Sequence, residues 1–398
     1  MRKFHALALG VVIAGAAAAV AIAAPGGSSG PSSSQSPYLV RSQPGVVLKS
    51  ILTVGDSVNN KPDGVTPYRM VGIPDGLGAF DNGDGTFTVL MNHELGSSVG
   101  VTRAHGAKGA FVSKWTIRKD DLTVLHGEDL IQNLIYSSGT KAMNRLCSAD
   151  LPPFSAFSSG GMGYDGRIFM NGEESGTEGR AFAHVVTGPE AGTSYELPYL
   201  GKFAWENAVA HPDPGAKTVV VGMDDGPGNQ VYVYVGDKTT TGTAPQKAGL
   251  TGGKLYGVKV VGLGLEADTS VVDDNTAVTL VDQGYVNGLS GVELDNLGQY
   301  GTKTTGATKT YPVTSFQRPE DGAWDTKDPT VFYFVTTASF TGNSKLWKLD
   351  FVDPTNPAAG ATISVVASTS SDGPNLPGGV GPRMMDNLTV NARGQVVI

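Results

Sequence analysis

One pattern recurs along this chain and constrains its fold more than any other feature. A turn marked by Gly and Asp leads into a run of β-branched and apolar residues. The run ends in acidic or polar residues, and a second strand follows after a gap. The first copy is Asp81-Asn82-Gly83-Asp84-Gly85, then Thr86 to Met91, then Asn92-His93-Glu94, with Phe111 to Ile117 as its later strand. The second runs from Tyr164-Asp165-Gly166 through Arg167 to Met170 and Glu173-Glu174, then Arg180 to Val186. The third has Pro212-Asp213-Pro214-Gly215, Thr218 to Val221, Asp224-Asp225, and Gln230 to Val235. The fourth has Asp325 to Pro329, Val331 to Thr336, and Lys345 to Phe351. A fifth opens at Asn391-Ala392-Arg393-Gly394 and runs into Val396-Val397-Ile398.

Runs of this length and composition, bounded by turn residues, are strands. The chain holds 55 glycines among 398 residues, about twice the average share. Glycines at short intervals supply tight turns, which suits short strands rather than helices. The copies recur at roughly 50 to 110 residues, too irregularly for WD40 or kelch repeats. A β-sandwich or a pair of β domains would use the same hairpins, but the repetition favours an all-β propeller whose blades carry insertions. The Gly/Thr-rich stretch Thr239 to Thr251 reads as a surface loop. Ile398 ends a strand with neither partner nor closing turn. The reading is a last blade that is incomplete in this chain, since a propeller closes to avoid an exposed strand edge.

At the N-terminus, Arg2 and Lys3 precede an apolar, Ala-rich run from Ala6 to Ala24, with Ala21-Ile22-Ala23 as a small-x-small cleavage site. This order is that of a secretory signal peptide over residues 1–23. An uncleaved anchor helix is the alternative, but the many alanines make the run weakly hydrophobic. A flexible Pro/Gly/Ser-rich segment over 24–44 and a propeller domain over 45–398 are expected to follow. The mature protein is expected to be secreted, periplasmic or on the cell surface, with no membrane association after cleavage. A net charge of -8 argues against nucleic acid or an anionic membrane surface as partner.

Carboxylates fall at equivalent points of the repeat. Glu94, Glu173 with Glu174, and Asp224 with Asp225 each end the first strand of a hairpin. A second set lies just upstream of the turns: Glu206 in Trp205-Glu206-Asn207-Ala208, Glu320 in Arg318-Pro319-Glu320-Asp321, and Asp386 in Met385-Asp386-Asn387-Leu388. Equivalent ends of equivalent strands in a toroid face one channel. Acids gathered there repel unless cations neutralise them, and Ca²⁺ takes several oxygen ligands. Iron in an oxygen-rich site is a further candidate. Any one of these acids taken alone is as readily a solvated turn residue.

Asp81-x-Gly83-x-Gly85 looks like the start of a calcium loop. The EF-hand template would place Glu where Asn92 stands, so the segment reads as a hairpin turn. No spacing supports zinc, a serine-hydrolase elbow or a nucleotide loop. Cys147, the lone cysteine, forms no internal disulfide. It is a buried small hydrophobe, a stray thiol or a ligand, and by itself the structural role is preferred.

Asn92-His93-Glu94, Cys147, Glu173-Glu174, Glu206, Asp224-Asp225, Arg318-Pro319-Glu320 and Asp386-Asn387 together resemble, in order, segments of the PhoX-type alkaline phosphatases. The likeness spans roughly residues 45 to 398. It implies a six-bladed propeller, a secreted metal-dependent phosphomonoesterase, and a mixed Ca²⁺ and Fe³⁺ cluster held by one thiolate and many carboxylates. Carried over, Cys147 becomes an iron ligand, and Glu94, Glu206 and Glu320 become core cluster ligands. Glu173, Glu174, Asp224, Asp225 and Asp386 become cluster or calcium ligands, and Arg318 clamps phosphate oxygens. The expected partner is a small phosphoester, and the expected state is a monomer.

The chain departs from the family pattern after Cys147, where Ser148 to Phe157 replaces a Thr-Pro-Trp-Gly-Thr stretch, and Gly172 stands where a second cysteine precedes Glu-Glu. The alternatives are a non-catalytic calcium propeller that binds a surface, glycan or protein, and a lactonase-like calcium propeller hydrolase. Residues i and i+2 of an extended segment share a side, and Pro319 biases Arg318 towards extended geometry. Arg318 and Glu320 are therefore expected to face the channel together.

Overall fold

In a computed structural model, the described residues are 27–41, 44–226, 228–266, 274–300, 311–369 and 381–398. The expected signal peptide lies outside them. No helix among the described residues is long and apolar enough to cross a membrane.

Four-stranded antiparallel meanders dominate. The first blade orders Pro74–Asp81, Thr86–His93, Phe111–Arg118 and Val124–Asp129 from its inner to its outer edge. The second has Ile168–Gly172, Ala181–Val185 and Thr193–Glu196, with Asn133–Ile135 added in parallel outside. Its innermost member is the segment Leu146–Asp150, which bridges to Glu173 and Met170. There the Asp150 N–H donates to Met170 at 2.9 Å and the Met170 N–H donates back at 2.8 Å.

The third blade is Trp205–Ala210, Lys217–Asp224, Val231–Asp237 and Lys254–Val260. The fourth is Pro319–Trp324, Val331–Thr336, Lys345–Phe351 and Ala361–Ser368. Thr276–Gly284 pairs with the outer strands of both, so these two blades form one nine-stranded sheet. Its two end strands, Trp205–Ala210 and Pro319–Trp324, return to each other's side. Thr389–Val390 and Val396–Val397 open a fifth blade.

Inner strands of all five surround one cavity of about 660 Å³, lined among others by Leu77, Ala149, Val209, Trp324 and Val390. The chain is thus an all-β propeller. Each sequence repeat supplies the second strand of a blade, and the repeated Gly/Asp turn joins it to the inner strand. Asp81 to Gly85 is one such hairpin turn. Gly83 and Gly85 sit at φ 79° and 89°, where a side chain is strained, and the Asp81 carboxylate accepts the Gly83 N–H at 2.7 Å.

Two expectations are corrected. The stretch Thr239 to Thr251 is more than a surface loop. It carries the short helix Ala244–Lys247, and Ala244, Ala248 and Leu250 are fully buried in the core between the second and third blades. Apolar spacing over so few residues is too short to announce a buried helix. The terminal strand also has a partner, because Val396–Val397 pairs with Thr389–Val390.

Candidate metal and anion site

Antiparallel neighbours put the start of an inner strand beside the end of the second strand. Asp75, Cys147, Glu206 and Glu320 stand at the starts of the first four inner strands, and Asp386 stands just before the fifth. Glu94, Glu174 and Asp225 follow second strands of the first three blades. All eight therefore lie at one mouth of the channel. Ligand atoms of Asp75, Glu94 and Cys147 lie within 4.8 Å of one another, as do those of Cys147, Glu174 and Glu206, and those of Glu206, Glu320 and Asp386. Shared members link the three groups into one arc.

Local packing aims these side chains. Trp205, beside Glu206, stacks on Phe203 at 3.9 Å and covers Gly222, where a Cβ would fall 2.6 Å from its ring. Ser148 reaches Glu206 Oε1 at 2.7 Å and Asn387 Oδ1 at 3.0 Å. The Cys147 carbonyl accepts from Gly76 N–H at 3.0 Å and Asn92 Nδ2 at 2.6 Å. Asn92 in turn accepts from Asn171 at 2.8 Å, and Asn171 meets His184 at 2.8 Å. A buried polar chain thus fixes the cysteine segment from behind.

Two arginines face the arc. Arg318 Nε and Nη2 donate to the two Asp225 oxygens at 2.8 and 2.7 Å, and Nη2 lies 2.7 Å from Glu320 Oε1. Arg145 Nη2 lies 2.6 Å from Glu94 and also pairs with Glu174. Arg318 is not extended as expected: it sits at φ 60°, with Arg145 at 52° and Met384 at 51°. They stand two residues before Glu320, Cys147 and Asp386 respectively. Left-handed backbone is uncommon for non-glycine residues. At Arg318 the bend is held by Thr337 N–H on its carbonyl at 3.0 Å and by Ala338 N–H on the Gln317 carbonyl at 2.9 Å. The guanidinium reaches Glu320 through this bend rather than along a straight strand.

The neighbouring acids part company. Glu173 makes a buried bidentate pair with Arg180, at 2.7 and 2.8 Å, away from the mouth. Asp224 turns to the Ala204 and Gly226 N–H groups, at 3.2 and 3.0 Å. Successive residues at a strand end point to opposite sides. Only Glu174 and Asp225 of the two pairs can face the channel, so both members were not to be expected there. Asp75 and Arg145 are the two members that sequence reasoning missed. Asp75 precedes the first turn much as Glu206 precedes its own, and Arg145-x-Cys147 repeats the offset of Arg318-x-Glu320.

Seven carboxyls and one thiol thus meet two guanidinium groups. Burial, reinforced by neighbouring carboxylates, pushes Asp75, Glu94, Glu174 and Glu206 above the ordinary carboxylate range. Burial raises Asp386 as well, against the Arg318 charge and with that of Asp225. Glu320 rises to about 8, through burial and then the Asp225 charge. The Cys147 thiol, 3.3 Å from Asp75, is driven up by burial and by the Glu206 and Asp75 charges. Such a set holds protons or takes cations in their place. Its oxygens suit hard cations and its single sulfur a softer one, so the donor chemistry fits a mixed metal centre.

No family model matches the sequence, and no curated protein matches it either. Among solved structures, the chain is similar to Pseudomonas fluorescens PhoX in complex with vanadate, a transition-state analogue. The TM-score is 0.54 at 12% identity, over 86% of this chain and 79% of that one. This is a distant structural relation, and it shows the propeller fold. Hadza microbial sialidase Hz136 aligns over 74% of this chain and 58% of that one, at 9% identity and a TM-score of 0.28, too low to carry an argument.

Proposed function

We propose that the chain is a metal-dependent phosphomonoesterase acting outside the cytoplasm on small phosphoesters, with calcium and iron at the channel mouth. The observation that carries this reading is the arc from Asp75 to Asp386 with two guanidinium forks at its rim. Support comes from a fold shared with a phosphatase that binds a phosphoryl transition-state analogue.

Phosphoryl transfer calls for positioning and charge neutralisation more than for covalent help. Cations bound by the arc would neutralise charge on the phosphoryl oxygens and activate an attacking oxygen. Asp75, Glu94, Glu174, Glu206, Glu320 and Asp386 would be the oxygen ligands, and the Cys147 sulfur, its proton lost to solvent, would hold a softer metal. Arg318, half exposed at the mouth, is positioned to exchange part of its Asp225 and Glu320 contacts for phosphoryl oxygens, to which its planar fork is matched. Arg145 offers a second fork on the opposite side of the arc.

The test is elemental analysis and p-nitrophenyl phosphate turnover on one purified sample. Iron with calcium and measurable turnover support the reading. Calcium alone without turnover overturns it in favour of a non-catalytic calcium propeller.

A further inference from the structure

Asp224, turned away from the mouth, opens a different question. Its Oδ1 accepts two backbone N–H groups, but its Oδ2 is buried without a hydrogen-bond partner in a side chain only 1% exposed. Gln230, fully buried at the other end of the same turn, has an unpartnered Nε2, and its Oε1 lies 3.3 Å from the Tyr232 hydroxyl. Asp295, on the helix Gly291–Tyr300, points at the same spot. A Cβ placed on Gly228 would fall within 2.6 Å of Asp224 Oδ2, Asp295 Oδ1 and Gln230 Oε1 together. Three side-chain oxygens thus gather around Gly228, close enough that any side chain there would collide with them.

A buried carboxylate oxygen without a partner is costly, and a second carboxylate aimed at it compounds the cost. Asp224 takes part in no ion pair among the described residues. A cation between the two carboxylates offsets both the burial of Asp224 Oδ2 and the repulsion.

We infer that Asp224, Asp295 and Gln230 form a second cation site, separate from the mouth, that takes a hard divalent ion of the calcium class. The ion pins the turn after the second strand of the third blade to the helix Gly291–Tyr300. The remaining positions of its shell are open to water, as is common for calcium. The next residue, Asp225, holds Arg318 at the mouth, so the site braces one rim of the channel from behind.

Asp295→Asn tests this by a change of sign. In EGTA the variant relieves repulsion against Asp224 and should melt at or above the wild-type midpoint. In calcium it should melt below wild type, by about 2 °C or more. Ions at the mouth are common to both proteins and cancel in the difference. Gly228→Ala, whose methyl group would push the three oxygens apart, should likewise shrink the calcium-dependent shift, and it carries the test if Asp295→Asn does not fold. Wild-type calcium shifts in both variants overturn the site. An equal gain for Asp295→Asn in EGTA and in calcium also overturns it, because the two carboxyls then share a proton instead of an ion.

Discussion

The mouth of the channel and its interior carry the same residue types on the same strands, yet they handle charge in opposite ways. Inside, Asp321 accepts Asn207 Nδ2 at 2.6 Å, the Gly322 N–H at 2.7 Å and the Leu388 N–H at 3.1 Å, tying three blades together. Asp150 accepts the Ala210 N–H at 2.8 Å. At the mouth, Glu320, one residue before Asp321, faces other carboxylates and a single guanidinium. Asp321 and Asp150 are held by donors built into the fold, whereas the mouth acids face one another and two guanidinium groups. Buried polar groups find partners within the protein unless a site needs them free.

Removing an interior-type pairing should cost stability above all. Glu173→Gln leaves Arg180 buried beside a neutral amide, and breaking a buried pair costs about 3–5 kcal/mol. Chemical denaturation should show that loss, with metal content per folded molecule unchanged. A drop in bound metal instead would move Glu173 into the arc. Glu174→Gln, its neighbour, should do the reverse. Turnover should fall by at least about 100-fold, beyond the 10–100-fold cost of losing a supporting partner, and metal should be lost, while in chelator, with no metal in either protein, the unfolding midpoint stays close to wild type. Full metal and activity in this variant would erase the distinction between the two neighbours.

Arg318→Lys keeps the charge but loses the fork. Turnover should fall about tenfold with metal retained, as read by steady-state kinetics and elemental analysis; near wild-type turnover would remove Arg318 from substrate binding. The smallest effect is a pH tilt. Burial, then the Asp321 charge, lifts Asp150 to about 7. The folded state therefore holds this proton more tightly than the unfolded chain. Its contribution to stability is complete below pH 4 and disappears as pH rises towards 7 and beyond. Melting of metal-free protein across this window should fall less steeply for Asp150→Asn than for wild type. Parallel curves would mean that Asp150 is ionised throughout.

The turn-strand-acid repeat made the propeller legible, because strand period and turn chemistry are local properties. It also made most of the mouth legible, since equivalent strand ends in a toroid converge by geometry alone. Asp75 escaped because Pro74-Asp75 precedes its turn without the flanking pattern of the other copies. Arg145 escaped because the long insertion after Asp150 separates its inner segment from its turn.

What the sequence by itself determined is which positions are equivalent. It could not decide which member of Glu173-Glu174 or Asp224-Asp225 faces the channel, because one residue of register reverses every side chain. That choice is made by partners distant in sequence, with Arg180 taking Glu173 and Arg318 taking Asp225. Nor could spacing place Asp295 opposite Asp224, since a helix inserted after the third blade has no counterpart in the repeat. Tertiary packing decided these because the energy of a carboxylate depends on what surrounds it, and only the folded chain sets those surroundings.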